Sequence, residues 1–208
     1  MKRYFIKRGY RRNRNPVQYQ DSPEDALTYQ IAVYRYAAQV IASQGFATVL
    51  DVGCGLGLKL GEFIVPTGAS VTGVDARKTI SICIERNAFG RWFADDIERP
   101  RADLGGPFDL IICADVIEHL RDPDTLFGYF RRWSHPKTHV LLSTPERDLR
   151  RGPDDMGPPG NPAHIREWNQ EELRQYLESQ GLTVLEHSIV ELRTAMETCQ
   201  LAFCSWAG

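Results

Sequence analysis

The stretch Asp115-Val116-Ile117-Glu118-His119-Leu120 sets two carboxylates and an imidazole close together, directly after the apolar run Phe108-Asp109-Leu110-Ile111-Ile112. Carboxylate oxygens and neutral imidazole nitrogens are the donors that divalent cations take, and an imidazole also titrates near neutral pH. If a helical turn starts at Asp115, then Asp115, Glu118 and His119 fall at i, i+3 and i+4 and share one face. His164, far along the chain, offers a further ligand. Two readings follow. Asp115, Glu118, His119 and His164 hold Mg²⁺ or another divalent cation, or the same groups brace a pocket floor without metal. In either case Asp115, His119 and His164 are the candidates for proton transfer.

A second motif lies upstream, in Leu50-Asp51-Val52-Gly53-Cys54-Gly55-Leu56-Gly57. Glycines between an apolar run and a helix let the backbone turn sharply and approach a ligand, and the helix adds oriented N–H groups. Asp75 follows Gly55 by twenty residues, about the separation at which an acid accepts hydrogen bonds from ribose hydroxyls. A nucleotide-type cofactor is expected. A dinucleotide fingerprint would place a glycine where Leu58 stands, and the chain has no room for a separate substrate domain, so NAD is disfavoured.

Alternating elements must position both motifs. Residues 46–52, 70–75, 91–96, 108–115 and 138–145 read as strands, with helices at 56–65, 77–90, 123–134 and 169–180 between or after them. The last helix carries Asn169 as cap, Glu172 three residues on and Gly181 beyond its end. An earlier helix is expected from Ser22 as cap, with Pro23, Asp25 and an apolar face of Leu27, Ile31, Tyr34, Ala38 and Ile41, to a stop at Gly45. Such alternation predicts an α/β, doubly wound, mostly parallel seven-stranded sheet. The runs 182–192 and 197–206 are separated by a turn too short for a crossover, so a C-terminal antiparallel hairpin closes the sheet. Residues 145–165 hold five of the twelve prolines and three glycines and should sustain neither helix nor strand. The organisation expected is a basic arm at 1–20 and one domain at 21–208, with 145–165 as a substrate loop.

The order hhDxGxGxG, the acid at the end of the second strand and the acidic turn after the third resemble the class I S-adenosylmethionine-dependent methyltransferases, over residues 25–205. That resemblance implies a seven-stranded Rossmann-like fold and S-adenosylmethionine as cofactor. It puts Asp51, Gly53, Gly55 and Gly57 along the methionyl and ribose side and Asp75 on the ribose hydroxyls. Ala76 and Ile97 would sandwich the adenine, Asp96 would meet its amine in competition with Asp95, and Ala114 is a further cofactor-binding residue. Glu-His-Leu at this position is widespread in members that bind no metal. The fuller set with Asp115 and His164 resembles the metal-assisted subset, which includes small-RNA 3′-end 2′-O-methyltransferases and some ubiquinone-pathway O-methyltransferases. Asp115 departs from the Glu typical of the RNA group.

Methyl transfer needs alignment and, for an alcohol, loss of a proton, so an acid-and-imidazole cluster suits an oxygen acceptor. Residues 141–173 resemble methyltransferases found on sugars and glycans, whose pocket over the fifth strand carries acidic and aromatic groups; that resemblance implies Arg147, Asp148, Asp154, Asp155 and Trp168 as the residues that would grip a sugar, glycan or similar polyol. The alternatives are an RNA ribose hydroxyl, suggested by Lys2, Arg3, Lys7, Arg8, Arg11, Arg12 and Arg14 in the arm, and a non-catalytic methyltransferase-like binding protein. The formal net charge is −2 although the arm is basic. No apolar run is long enough to span a bilayer and the N-terminus has no signal-like apolar core. Five scattered cysteines without CxxC pairs point to a reducing compartment. A cytoplasmic enzyme without membrane insertion is expected, its oligomeric state open, homodimer included.

Overall fold

Strand β4 (Phe108–Ala114) is apolar except at Asp109 and almost wholly buried, as a strand covered on both faces must be. In the computed structural model, which describes residues 4–18, 28–191 and 198–207, β4 is central to a seven-stranded sheet. The other strands are β1 (Thr48–Val52), β2 (Ser70–Asp75), β3 (Gly90–Ala94), β5 (Ser134–Pro145), β6 (Leu182–Glu191) and β7 (Thr198–Trp206), and the order is β3-β2-β1-β4-β5-β7-β6. Neighbours from β3 across to β5 run parallel. Strand β7 is antiparallel to both β5 and β6, so the doubly wound sheet with its C-terminal hairpin forms as expected.

The period-2 alternation of strands divides the core. Val49, Leu110, Ile112 and Leu141 face α1 (Ile31–Gln44) and the π turn Leu60–Ile64, which continues into the 3₁₀ turn Val65–Thr67. Leu50, Ile111, Cys113 and Val140 face α3 (Asp124–Arg132) and α5 (Gln170–Ser179). Helix α2 (Arg77–Arg86) joins β2 to β3 and buries Ile80 and Cys83. The chain reverses direction across the sheet between β1 and β4, and a crevice opens at their carboxyl ends, where ligands bind in such sheets. Among the described residues no helix is long and apolar enough to cross a membrane.

Two expectations change, and one lies outside the described residues. Ser22, Pro23, Asp25 and Leu27 lie outside the described residues. The described helix begins at Ile31 because Gln30 is left-handed (φ 64°) and breaks any α continuation, and the buried face is Val33, Tyr34, Ala37, Val40 and Ile41. Gly45 ends it as expected, its N–H reaching Ile41 O at 2.9 Å. The proline-rich segment, too, is not wholly irregular: α4 (Arg147–Arg151) forms where the Glu146 carboxylate accepts from Leu149 N–H at 2.6 Å. Strand β5 likewise runs to Pro145, pairing with Cys199.

The arm is laid along that segment. Arg11 N–H reaches Met156 O at 2.8 Å, Asn13 N–H reaches Ile165 O at 2.9 Å, and Val17 N–H reaches Pro162 O at 3.1 Å. Trp168 Nε1 donates to Tyr4 O at 2.9 Å, and Ile6 is buried.

Candidate active site

A cavity of about 1030 Å³ occupies the crevice. Its floor is the glycine turn after β1. Gly53, Gly55 and Gly57 all have left-handed φ (80°, 53° and 70°), conformations that β-carbon-bearing residues adopt only under strain. Gly53 and Gly55 line the cavity, and a β-carbon on Gly53 would lie 2.3 Å from Val116 Cγ2. Gly57 is instead needed for packing, because a β-carbon there would meet the Trp92 ring at 2.6 Å; it does not line the cavity.

Asp75 closes the turn from β2. One carboxylate oxygen accepts from Gly55 N–H at 2.9 Å and the other from Ala76 N–H at 2.6 Å. Burial raises its pKa while those two N–H groups pull it down. Ala76, Asp96, Ile97 and Ala114 share the cavity wall with it. Asp95 also reaches the wall, but Arg101 N–H and the Tyr129 hydroxyl occupy its two oxygens. Asp96 gives one oxygen to Glu98 N–H at 2.9 Å and is exposed, so of the two acids it is better placed to meet a ligand.

Asp51 is corrected in position: it stands behind the turn, fully buried and off the cavity wall. The Tyr34 hydroxyl donates to it at 2.7 Å, and burial pushes its pKa up to about 7 against the pull of that bond and of Lys59.

At the end of β4 the expected face of Asp115, Glu118 and His119 does not form. Asp115 is left-handed (φ 52°) and the turn that follows is a 3₁₀ turn at Ile117–His119, so no α spacing runs through Asp115. It lines the cavity and accepts from the Ser143 hydroxyl at 2.9 Å. Glu118, His119 and His164 do converge, with one ligand atom from each within 4.8 Å of the others.

The orientation of that trio is fixed from behind. His119 Nδ1 lies 3.0 Å from Ala163 O and His164 Nδ1 lies 2.6 Å from a Glu167 oxygen, which makes Nδ1 the protonated nitrogen and Nε2 the acceptor in both rings. His164 Nε2 is also 3.0 Å from the Asn161 amide nitrogen and 4.0 Å from Glu118 Oε1. Glu118 is fully buried; its Oε2 accepts from the Thr144 hydroxyl at 2.9 Å, and its Oε1 has no hydrogen-bond partner among the described residues. Burial, and then the nearby Asp115 charge, hold the Glu118 pKa well above the usual carboxylate range. Burial and the neighbouring His164 push His119 down to about 4, so it is neutral at physiological pH. His119 reaches the cavity, whereas Glu118 and His164 stand behind its wall.

The residues nominated for sugar recognition are elsewhere. Arg147 is fully buried, pairing with Glu172 at 2.6 Å and Asp148 at 2.8 Å. Trp168 is fully buried and stacked on Tyr176, and Asp155 pairs with Arg151 at 3.0 Å. None of them, nor Asp154, lines the cavity. Among the cavity-wall residues that the sequence did not single out are Gln18, Tyr29, Gln30, Lys59, Arg77 and Arg99. Lys59 left a signal, a charge inside the otherwise apolar Leu58-Lys59-Leu60.

A parallel α/β sheet with a glycine turn at its switch point and an acid at the tip of the next strand is the architecture of S-adenosylmethionine-dependent methyltransferases. A family model described as a methyltransferase domain matches residues 10–187, and the chain belongs to that family. Among solved structures it is similar to the magnesium protoporphyrin IX methyltransferase of Synechocystis PCC 6803 (TM-score 0.65, 18% identity, covering 92% of this chain and 90% of that one). It is also similar to the 1,6-didemethyltoxoflavin-N1-methyltransferase of Burkholderia thailandensis (TM-score 0.64, 18% identity, 93% and 94%). Curated relatives include ubiquinone biosynthesis O-methyltransferases. That of Pseudomonas paraeruginosa PA7 is 34% identical over 49% of this chain and 45% of its own length. That of Pseudomonas aeruginosa LESB58 is 28% identical over 65% and 67%. The chain thus spans about half to two thirds of the length of these relatives.

Proposed function

We propose that the protein transfers the methyl group of S-adenosylmethionine to a hydroxyl oxygen of a small molecule, with a divalent cation held by Glu118, His119 and His164. The fold family and the relatives named as O-methyltransferases support methyl transfer to oxygen. The observation that carries the cation is the buried Glu118 Oε1, without a hydrogen-bond partner among the described residues, beside two imidazoles whose Nδ1 atoms are both committed elsewhere. Such backing is how proteins fix histidine ligands, and an unpaired buried carboxylate oxygen is costly unless something positive meets it. A cation there would lower the pKa of a coordinated hydroxyl.

In the transfer, a bond forms between the acceptor oxygen and the methyl carbon as the carbon–sulfur bond breaks, and the hydroxyl proton leaves. Asp115 stands on the cavity wall with its carboxylate steadied by Ser143, placed to take that proton. His164, behind the wall, positions. Asp75 would hold the ribose hydroxyls, with Ala76 and Ile97 about the adenine and Asp96 at its amine.

The test is S-adenosylhomocysteine production against phenols, sugars and an RNA oligonucleotide, with and without chelator. Turnover on small hydroxylated acceptors, lost in chelator and restored by Mg²⁺ or Mn²⁺, is expected. Turnover indifferent to chelator removes the cation. Turnover confined to RNA or sugars removes the acceptor class, and cofactor binding without any turnover leaves a non-catalytic binding protein.

A further inference from the structure

The two imidazoles beside Glu118 are backed by unlike partners. His119 Nδ1 meets the neutral carbonyl of Ala163 at 3.0 Å, whereas His164 Nδ1 meets the Glu167 carboxylate at 2.6 Å. The rings stand nearly perpendicular, 85° apart with centroids 4.8 Å from each other, so each keeps its own backing. The Asn161 amide agrees with the tautomer of His164. Its Oδ1 accepts from Ala163 N–H at 2.9 Å, which leaves its amide nitrogen to donate to His164 Nε2 at 3.0 Å. Nε2 therefore carries the lone pair on the side where Glu118 Oε1 lies, 4.0 Å away.

Glu167 is fixed along both its main chain and its side chain. Its carbonyl accepts from Arg147 Nη1 at 3.3 Å, and the next carbonyl, Trp168 O, accepts from Arg147 N–H at 3.0 Å. Its second carboxylate oxygen accepts from Arg151 Nη1, and Arg151, the last residue of α4, is held in turn by Asp155 at 3.0 Å. Only 1% of Glu167 is exposed, so its carboxylate is held behind the imidazole before any cation arrives. A carboxylate in that place both orients a histidine ligand and raises its basicity, and a charged acceptor bonds more strongly than a neutral carbonyl.

We infer that Glu167 is a positioning residue of the cation centre, whose charge makes His164 the stronger of the two imidazole ligands. That charge acts on the ring directly, and the ion pair with Arg151 draws on it. The inference rests on the cation reading above and adds to it a residue and an inequality between the two histidines.

Calorimetric titration of the full chain with Mn²⁺ alone is the test. In Glu167→Gln an amide oxygen can still accept from His164 Nδ1 but brings no charge, and Mn²⁺ should bind about ten- to a hundredfold more weakly, the range for a lost outer partner. Arg151→Met breaks the same ion pair from its other side and leaves the carboxylate on His164, so Mn²⁺ should bind as tightly as in wild type or more tightly. Equal weakening in the two variants assigns the effect to the packing of the ion pair and overturns the inference, as does unchanged binding in Glu167→Gln. Affinity for S-adenosylhomocysteine should stay within about twofold in both variants, because neither residue lines the cavity; its loss alongside that of Mn²⁺ would make Glu167 a general packing residue and overturn the inference. Should Glu167→Gln not fold, Glu167→Asp, which draws the charge back from the ring, is titrated in its place, with weaker Mn²⁺ binding expected and unchanged binding overturning the inference. A wild-type chain that binds no Mn²⁺ removes the cation reading and this inference with it, a result distinct from wild-type binding that Glu167→Gln leaves untouched.

Discussion

The cavity has two walls built on opposite principles. On the cofactor side, backbone does the work: left-handed φ brings Gly53 and Gly55 to the surface, and Asp75 is held by the N–H groups of Gly55 and Ala76. On the far side, from the β4 turn through residues 146–172, charge is packed under cover. Arg147, Glu118, Arg166 and Glu167 are all almost wholly buried, and each is bonded to a neighbour distant in sequence, such as Glu118 to Thr144 and Arg166 to the carbonyls of Leu120 and Arg121. A backbone cradle tolerates many side chains around it but no β-carbon within it. A buried polar network tolerates the loss of none of its charged members, because each removal strands another charge.

Breaking the network should give the largest effect on stability and the smallest on cofactor affinity. Arg147→Met leaves Glu172 and Asp148 without their cation, and a broken buried pair costs about 3–5 kcal/mol. Glu172 also accepts from Lys7 N–H and completes the capping box of α5, so arm and helix loosen together. The urea midpoint should fall accordingly, while S-adenosylhomocysteine affinity stays within about twofold, as for sites without shared contacts. A large loss of affinity at unchanged stability would mean that the two walls are not separate.

Asp51 sharpens the comparison, since it is a buried charge on the backbone-built side. Its pKa is raised from 3.8 to about 7 in the folded chain. Between those values the folded state binds the extra proton, so stability falls as pH rises. The loss approaches about 4 kcal/mol by pH 7, at about 1.4 kcal/mol per unit. Asp51→Asn should remove that slope, seen as a flatter wild-type-minus-variant difference in unfolding free energy above pH 7 than between pH 4 and 7. An identical pH dependence in the two proteins would show that Asp51 carries no raised pKa.

The same contrast explains what could be read from sequence. The glycine turn, Asp75, the Asn169–Glu172 capping box and the C-terminal hairpin are encoded by residues a few positions apart, and they stand where the spacing put them. The far wall is set by long-range burial. Arg147 and Trp168 look like loop residues in the sequence and become buried only because the arm and α5 close over them. Asp115 left the expected helical face because its backbone turns left-handed, and Asp51 went behind the turn because Tyr34, on another element, takes its carboxylate. Spacing alone brought Glu118 and His119 together; His164 joined them through a loop whose path no local pattern dictates.

Gly53 is where the two walls touch, and it offers the smallest but most discriminating effect. Alanine there must keep a φ of 80°, a strain of about 1–3 kcal/mol, and its β-carbon would press on Val116 Cγ2. Valine is stiff at χ1, so the pressure passes to the turn that carries Asp115 and His119. Gly53→Ala should therefore weaken S-adenosylhomocysteine binding and lower turnover together. Gly53→Ala with Val116→Ala separates the causes: the contact is relieved and the φ penalty remains. Recovery of turnover, but not of stability, in the double variant identifies the Val116 contact as the link between cofactor cradle and reaction end. No recovery of turnover would assign the whole effect to the backbone of the glycine turn.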